Sequence, residues 1–123
     1  PQSPISKEPL GPTYRSNDSQ WGDIINWVVY ATVIADEYGV TRSNIDSFDY
    51  DANPEMGRLF GKNDGELQTI MGLSADAFYN VVKQIGNYDE IFSRNLNPLG
   101  LYREGGANAR WTEGGLIYAP PAR

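Results

Sequence analysis

DSQWGDIINWVVYATVIADEYG, residues 18–39, is the stretch that decides how this chain folds. Asp18 and Ser19 are both residue types that cap a helix N-terminus, and Asp23 adds a negative charge near that end. Gly39 can adopt the left-handed backbone that closes a helix at its C-terminus. Roughly five turns without a proline lie between these two signals. The stretch therefore predicts one long helix.

The apolar side chains of this predicted helix fall on two adjoining faces. One face consists of Trp21, Ile24, Ile25, Val28, Thr32 and Ala35, and the other of Trp27, Tyr30, Ala31, Ile34 and Tyr38. A helix that is apolar around most of its circumference is normally buried and needs neighbours on several sides. The rest of the chain offers only some of the apolar cover that this helix needs.

The composition limits the classes of protein to which the chain can belong. Its 123 residues suit one domain, and the 13 glycines and 8 prolines indicate many loops. A net charge of −6, with ten scattered basic residues, argues against nucleic acid or an anionic membrane as partner. No apolar stretch is long enough to span a membrane. The opening PQSPISKEP has no apolar core of a secretion signal, so we expect any signal to have been removed or never to have belonged to this segment.

Two residue types that carry much of enzyme chemistry are missing from the chain, which has neither cysteine nor histidine. Without cysteine there is no disulfide, no zinc–thiolate site and no thiol nucleophile. Without histidine the chain lacks the commonest general base, the commonest metal ligand and the Ser–His and Cys–His pairs of nucleophilic catalysis. We expect no catalytic residue, no metal site and no cofactor.

Shorter helical segments are predicted after the long helix. Residues 53–55, Asn-Pro-Glu, supply the cap, first-position and first-turn residues of a helix start. Further helical segments are predicted over residues 66–71, 74–85 and 88–96. The side chains predicted to face inward are Met56, Leu59, Phe60, Phe78, Val81, Val82, Ile85, Tyr88, Ile91, Phe92 and either Asn95 or Leu96.

The N-terminal end of the chain is predicted to be extended. Residues 1–12 hold four prolines and cannot be helical, while residues 10–15 are a candidate strand at a sheet edge. A disordered tail is the alternative, against which Ile5, Leu10 and Tyr14 offer apolar anchors.

The C-terminal end, residues 97–123, is rich in glycine and proline yet carries many apolar side chains. Such a segment is too apolar for a free linker, so we predict that it wraps over a larger body. Residues 108–120 should form an ordered strap that is anchored by the burial of Trp111 and Tyr118.

Two motifs resemble ligand sites but lack residues that those sites need. Residues 49–55 place side-chain oxygens at alternate positions, as a calcium loop does, but Pro54 stands where the loop needs glycine and Phe60 where it needs glutamate. GRLFGK at 57–62 is one residue shorter than a phosphate loop, and Asn63 replaces its serine or threonine. Neither motif predicts a site.

Three pairs of neighbouring carboxylates are present, namely Asp36 with Glu37, Asp46 with Asp49, and Asp89 with Glu90. A glycosidase needs only two carboxylates and no histidine, so a hydrolase is a third interpretation of the chain. Sixteen acidic residues produce such pairs by chance, however, and most such groups are helix-end charges or solvated side chains.

Four segments resemble one known family in the correct order. They are ISKEPLGPTYR at 5–15, QWGDIINWVVYA at 20–31, VVKQIGNYDEIFSRNL at 81–96 and NARWTEGGLIYAPPAR at 108–123. These segments are similar to the C-terminal part of periplasmic general L-amino-acid-binding proteins, the solute-binding components of ABC importers. The resemblance is specific because the GNYxEIFxRN block and the WxxGGLxYAPP ending occur together.

The resemblance implies a mainly α fragment of the bilobed α/β fold of type II periplasmic binding proteins. Residues 1–15 would be a crossover strand or hinge segment, with Ser6–Tyr14 the returning crossover. Residues 16–96 would be the helical part of the lobe that holds the N-terminus, and residues 97–123 a long irregular C-terminal strap. Strands from an absent N-terminal part would then cover the long helix.

The resemblance also implies a function in the periplasm, as the binding component of an amino-acid importer and not as an enzyme. The mechanism would be closure of two lobes on the ligand, followed by docking of the closed form on a membrane permease. The implied partners are free L-amino acids, the permease subunits and the N-terminal part of the same protein, with no nucleic acid. In this family the ligand contacts lie mostly upstream, so no ligand-binding residue is assigned here. The alternative is a small helical protein–protein interaction module.

Overall fold

The computed structural model describes residues 10–122, and α-helices make up most of their regular structure. The helices are α1 (Ser19–Glu37), α2 (Pro54–Leu59), α3 (Leu67–Ile70), α4 (Ala77–Ile85) and α5 (Tyr88–Leu96). Two 3₁₀ turns follow at Asn97–Leu99 and Trp111–Glu113. Every helix predicted from the sequence is thereby confirmed.

Helix α1 begins and ends at its predicted signals. The Asp18 carboxylate accepts a hydrogen bond of 3.1 Å from the backbone N–H of Trp21, which satisfies one of the free donors of the first turn. Gly39 follows the cap residue Tyr38 with a φ of 68°, the left-handed conformation expected there. Asp23 lies in the second turn, near the N-terminal end as predicted.

Helix α5 starts with a capping box that also ties it to α1. The Asn87 side chain accepts from the backbone N–H of Glu90, and the Glu90 carboxylate accepts from the backbone N–H of Asn87. The amide of Asn87 donates a bond of 2.8 Å to the carbonyl of Val40, just after α1. Gly86, with a φ of 103°, makes the break between α4 and α5.

One hydrophobic core lies where α1 packs against α4 and α5, and the loops after α1 and the C-terminal end complete it. Its buried members are Ala31, Val33, Ile34, Ala35, Val40, Ile45, Met56, Leu59, Phe60, Met71, Phe78, Val82, Ala119 and Ala122. Of the residues predicted to face inward, Ile85 is 47% exposed because it is the last residue of α4, next to the break at Gly86.

The short helices α2 and α3 are joined by a buried amide. The side chain of Gln68 donates to the carbonyls of Arg58, Leu59 and Ala75, which lie at the end of α2 and before α4. A buried amide is stable only with such partners. Asn53 precedes α2 as expected but makes no capping bond, because its side chain donates to the carbonyl of Asp49 instead.

The predicted edge strand over residues 10–15 is wrong. These residues form no strand, Leu10 is 95% exposed, and the only β pairing within residues 10–122 is an isolated bridge between Arg110 and Ile117. A strand needs a neighbouring strand to bond its backbone, and the described part of the chain offers none at this point. The rest of the predicted crossover, with Ile5, lies outside the described residues.

The predicted anchors of the C-terminal strap are also wrong. Trp111 is 54% exposed and Tyr118 is 59% exposed, while Ala109, Ala119 and Ala122 are buried. Small side chains let the chain pass close to the body and to itself. The two aromatic rings are too large for these narrow contacts and lie on the outside. The segment does lie against the body, but its alanines and the polar contacts described below hold it there.

Helix α1 is covered unevenly along its length. Every residue from 31 to 36 is buried, whereas in the first half of the helix Gly22 alone is buried and Trp21 is 51% exposed. Tyr14 packs on Gly22, where an added Cβ would lie 2.5 Å from the ring. The described residues thus cover the first half only in part: Ile24, Trp27 and Val28 pack against the core while partly exposed, and Trp21 is exposed. None of the helices in this range has the length and hydrophobicity to pass through a membrane.

Candidate functional site

The C-terminal half of α1 carries a buried carboxylate, that of Asp36, whose side chain is 1% exposed. Its Oδ2 accepts from Arg103 Nη2 and its Oδ1 from Arg110 Nη2, each at 2.8 Å. A buried charge is tolerated only when it is paired and hydrogen-bonded. Both arginines belong to the segment after α5, so the two ion pairs fix that segment to α1. We call the group of Asp36, Asp89, Arg103, Arg110 and Glu113 the Asp36 cluster.

Arg103 is the central cation of the Asp36 cluster and is 8% exposed. It donates through Nη1 to Asp89 and through Nε to the carbonyl of Asn108, at 2.8 Å each, and its guanidinium lies 4.9 Å from the ring centre of Tyr88. Burial acts to lower the pKa of Arg103, but the hydrogen bonds to Asp36 and Asp89 outweigh it and raise the pKa. The guanidinium therefore stays charged.

Arg110 is the second cation of the Asp36 cluster. Its hydrogen bond to Asp36 raises the pKa of the guanidinium more than partial burial lowers it. A second contact, 3.5 Å to the Glu113 carboxylate, is long for a hydrogen bond. Its Nε is buried without a hydrogen-bond partner among the described residues. The strong interaction of Arg110 is thus the one with Asp36.

The Asp36 cluster borders an open depression of about 470 Å³, which Glu104, Gly105 and Ala109 also line. Its two guanidinium groups are already engaged by carboxylates, so neither is free to hold an anion. The depression contains no cysteine, serine or lysine nucleophile. In the described part of the chain, no group of three or more potential metal ligands could hold an ion. The cluster is built to clamp two segments together.

A second cleft, which we call the aromatic groove, lies on the other side of the same helix end. It has a volume of about 300 Å³ and is lined by Ile34, Glu37, Tyr38, Glu55, Trp111, Tyr118, Ala119, Pro120 and Pro121. The indole N–H of Trp111 donates to Glu37 at 3.1 Å, and the hydroxyl of Tyr38 donates to Glu55 at 2.9 Å. Burial raises the pKa of Glu37, while the Trp111 bond opposes that shift.

The three carboxylate pairs noted in the sequence do not form acid–base pairs. Each carboxylate accepts hydrogen bonds from its own structural partner. In the first pair, Asp36 accepts from the two arginines and Glu37 accepts from Trp111. In the second, Asp46 accepts from Tyr79 and Lys83, and Asp49 accepts from the backbone N–H of Ala52. In the third, Asp89 accepts from Arg103, and Glu90 accepts from the backbone N–H of Asn87. An enzyme of the glycosidase kind needs two carboxylates that face one substrate. The geometry gives the hydrolase interpretation no support.

Reasoning from the sequence missed the roles of Arg103 and Arg110. The aromatic rings of the segment after α5 predict its anchors wrongly, because Arg103 and Arg110 make its ion pairs with α1. One signal was available in the sequence. Asp36 directly follows the apolar residues Val33, Ile34 and Ala35 of the predicted helix, and an acidic side chain that is buried there needs a cation as its partner. The sequence could not tell which of the ten basic residues would supply it.

Two curated relatives are similar to almost the whole chain. The general L-amino acid-binding periplasmic protein AapJ of Rhizobium johnstonii is 46% identical, over 97% of this chain and 36% of its own length. The glutamate/glutamine/aspartate/asparagine-binding protein BztA of Rhodobacter capsulatus has the same identity and the same coverage. The chain thus spans little more than a third of the length of these relatives. No protein-family model matches it.

A solved structure has the same fold over this length. It is an ABC transporter periplasmic binding protein from Brucella ovis with glutathione bound, with a TM-score of 0.91 and 40% identity. The match covers 99% of this chain and 39% of that protein. All three of these similar proteins are named as binding proteins. The chain is thus similar, over nearly its whole length, to about a third of periplasmic amino-acid-binding proteins, the family that its motifs resemble.

Proposed function

We propose that this chain is the C-terminal part of the solute-binding component of an amino-acid importer and acts in the periplasm. One observation carries the proposal: nearly all of the chain matches about a third of two amino-acid-binding proteins in sequence and of an ABC transporter periplasmic binding protein in fold. The ligands would be free L-amino acids, as the names of the two curated relatives suggest.

The proposal divides the chain into three parts. Residues 1–15 would be the crossover or hinge between two lobes, residues 16–96 the helical part of one lobe, and residues 97–123 its closing strap. The ion pairs of Asp36 support the last assignment because they hold the strap to α1. Ligand binding would close the two lobes about the hinge, and the closed form would dock on the permease.

The incomplete cover of the first half of α1 supports an N-terminal part of the same protein as a partner. Trp21 is half exposed, and Ile24, Ile25 and Trp27 are only partly buried. Large apolar side chains in one exposed patch normally mark a surface that another segment covers. In the complete protein the strands of the lobe would pack here, which also explains why the segment 10–15 has no strand partner.

The test compares the 123-residue chain with a chimera. In the chimera the N-terminal part of the Rhizobium relative precedes the chain, joined at the position where the two sequences start to align. Both proteins are titrated by calorimetry with individual L-amino acids, and the intact relative serves as the control. We expect the chimera to bind at least one L-amino acid with a Kd of about 1 μM or less, near −8 kcal/mol. The chain alone should bind none of them.

Two results would contradict the proposal. One is a folded, monomeric chimera that binds no amino acid while the intact relative does. The other is micromolar binding by the chain alone, shown to be monomeric by light scattering, because the pocket would then lie within these residues.

A further inference from the structure

The aromatic groove exposes more aromatic surface than the fold requires. Three large rings stand at its edges, with Tyr38 40% exposed, Trp111 54% and Tyr118 59%. This part of the chain is held to the body by the burial of Ala119 and by the arginines of the Asp36 cluster, and burial of the rings contributes less. Contiguous exposed apolar surface of this kind commonly marks a binding site.

The rings have an arrangement that suits a cation. The centres of Trp111 and Tyr118 lie 6.1 Å apart, and their planes meet at 80°. In this edge-to-face pair both rings are more than half exposed, so aromatic surface of each ring remains accessible to a ligand. The face of an aromatic ring carries partial negative charge, and that of tryptophan attracts cations most strongly.

The charge of the groove has the same sign as its ring faces. Glu37 and Glu55 line it, each fixed by a hydrogen bond from an aromatic side chain, Trp111 and Tyr38 respectively. None of the described side chains that line the groove is basic. The burial that raises the pKa of Glu37 shows that this carboxylate lies in a partly apolar setting, where a cation would stabilise its charge.

We propose that the aromatic groove binds a small organic ammonium ion, with the cation against Trp111 and Tyr118 and its charge balanced by Glu37 and Glu55. The volume of about 300 Å³ suits a small molecule. A bare metal ion is disfavoured because the described residues offer no group of three ligands. An anion would be repelled by the two carboxylates. The site does not depend on the amino-acid site of the proposed function.

The test uses choline chloride as the probe and 3,3-dimethyl-1-butanol, its neutral isostere, as the matched control. The readout is the indole N–H signal of each of the three tryptophans in ¹H–¹⁵N NMR spectra of the 123-residue chain. The signal of Trp111 is assigned by its loss in Trp111→Phe. We expect choline to shift this signal in a saturable way and to leave that of Trp21 in place. The neutral isostere should bind at least about tenfold more weakly.

Substitutions separate the groove from the rest of the surface. Glu37→Gln and Glu55→Gln should each weaken choline binding several-fold, whereas Glu66→Gln, an exposed glutamate away from the groove, should leave it unchanged. Tyr118→Leu tests the second ring, and the remaining signals of each spectrum show whether the variant is folded. Equal binding of the neutral isostere, absence of a saturable shift, or unchanged binding in both Glu37→Gln and Glu55→Gln would overturn the proposal.

Discussion

The two halves of helix α1 both carry large apolar side chains but have different surroundings. Residues 31–36 are all buried, including the carboxylate of Asp36, while Gly22 is the one buried residue of the first half. The second half contacts partners that the chain itself supplies, namely the core and the arginines of the C-terminal segment. An apolar pattern therefore shows which faces of a helix need cover, but the presence of a partner decides which of them receive it.

The largest effect is expected from removing the ion pairs of Asp36 in the second half of α1. Asp36→Ala leaves Arg103 buried without its main counter-charge and releases Arg110, so we expect a loss of about 3–5 kcal/mol in the free energy of unfolding. The matched control is Asp23→Ala, an exposed aspartate in the other half of the helix, with an expected change within about 0.5 kcal/mol. Urea unfolding measures both. Equal losses would show that the Asp36 cluster adds no special stability.

The next effect concerns apolar packing in the two halves. Ile34 is 2% exposed and belongs to the core, so Ile34→Ala should cost about 2–5 kcal/mol. Ile25 is only partly buried, so Ile25→Ala should cost about 1 kcal/mol or less. Thermal unfolding of the two variants compares them directly. In a chimera that supplies the N-terminal part, the cost of Ile25→Ala should rise, and an unchanged cost would mean that this face stays uncovered.

A smaller effect compares two tryptophans of matched exposure. Trp111 and Trp21 are 54% and 51% exposed and belong to the C-terminal segment and to the first half of α1 respectively. Trp111→Ala removes partial burial and the bond to Glu37, and should cost about 1–2 kcal/mol. Trp21→Ala should cost no more than this. A loss of 3 kcal/mol or more in the free energy of unfolding of Trp111→Ala, together with faster proteolysis of the C-terminal segment, would show that Trp111 does anchor the strap.

The smallest effect concerns Tyr50, which packs against the hydrophobic core. This effect on stability is absent at neutral pH. Burial, with the nearby Tyr79 and Asp46, raises the pKa of Tyr50 from 10.0 to about 12. The unfolded chain loses this proton first, so the stability that Tyr50 contributes is present below pH 10 and is lost as the pH rises through 12. In an ultraviolet titration one of the eight tyrosines should ionise last, and Tyr50→Phe should remove that step. A titration without a late step would contradict the burial of its hydroxyl.

Much of the fold follows from local signals in the sequence. Asp18 and Gly39 bracket α1, Pro54 starts α2, and Gly86 with Asn87 separates α4 from α5. These signals act within a turn or two of the backbone, so they operate whatever the rest of the chain does. The motifs of the amino-acid-binding family can likewise be recognised from short stretches of the sequence.

The candidate sites depend on contacts between distant residues. Arg103 reaches Asp36 across 67 positions of the chain and Arg110 across 74, distances over which no local pattern connects them. The aromatic groove combines the end of α1, the start of α2 and the C-terminal segment in the same way. Tyr118 reads as a core residue in the sequence, yet it lies on the surface because the chain approaches the body through alanines there.

The sequence by itself determined where the helices begin and end, which of their faces are apolar, and to which family the chain is similar. The reason is that capping, glycine conformation and helical periodicity act between residues close together in the chain. Only the tertiary structure decided that Asp36 is buried between two arginines, that Trp111 is exposed, and that the first half of α1 is only partly covered. Burial and ion pairing depend on which segments meet in space, and their stabilising free energy arises only once those segments are in contact.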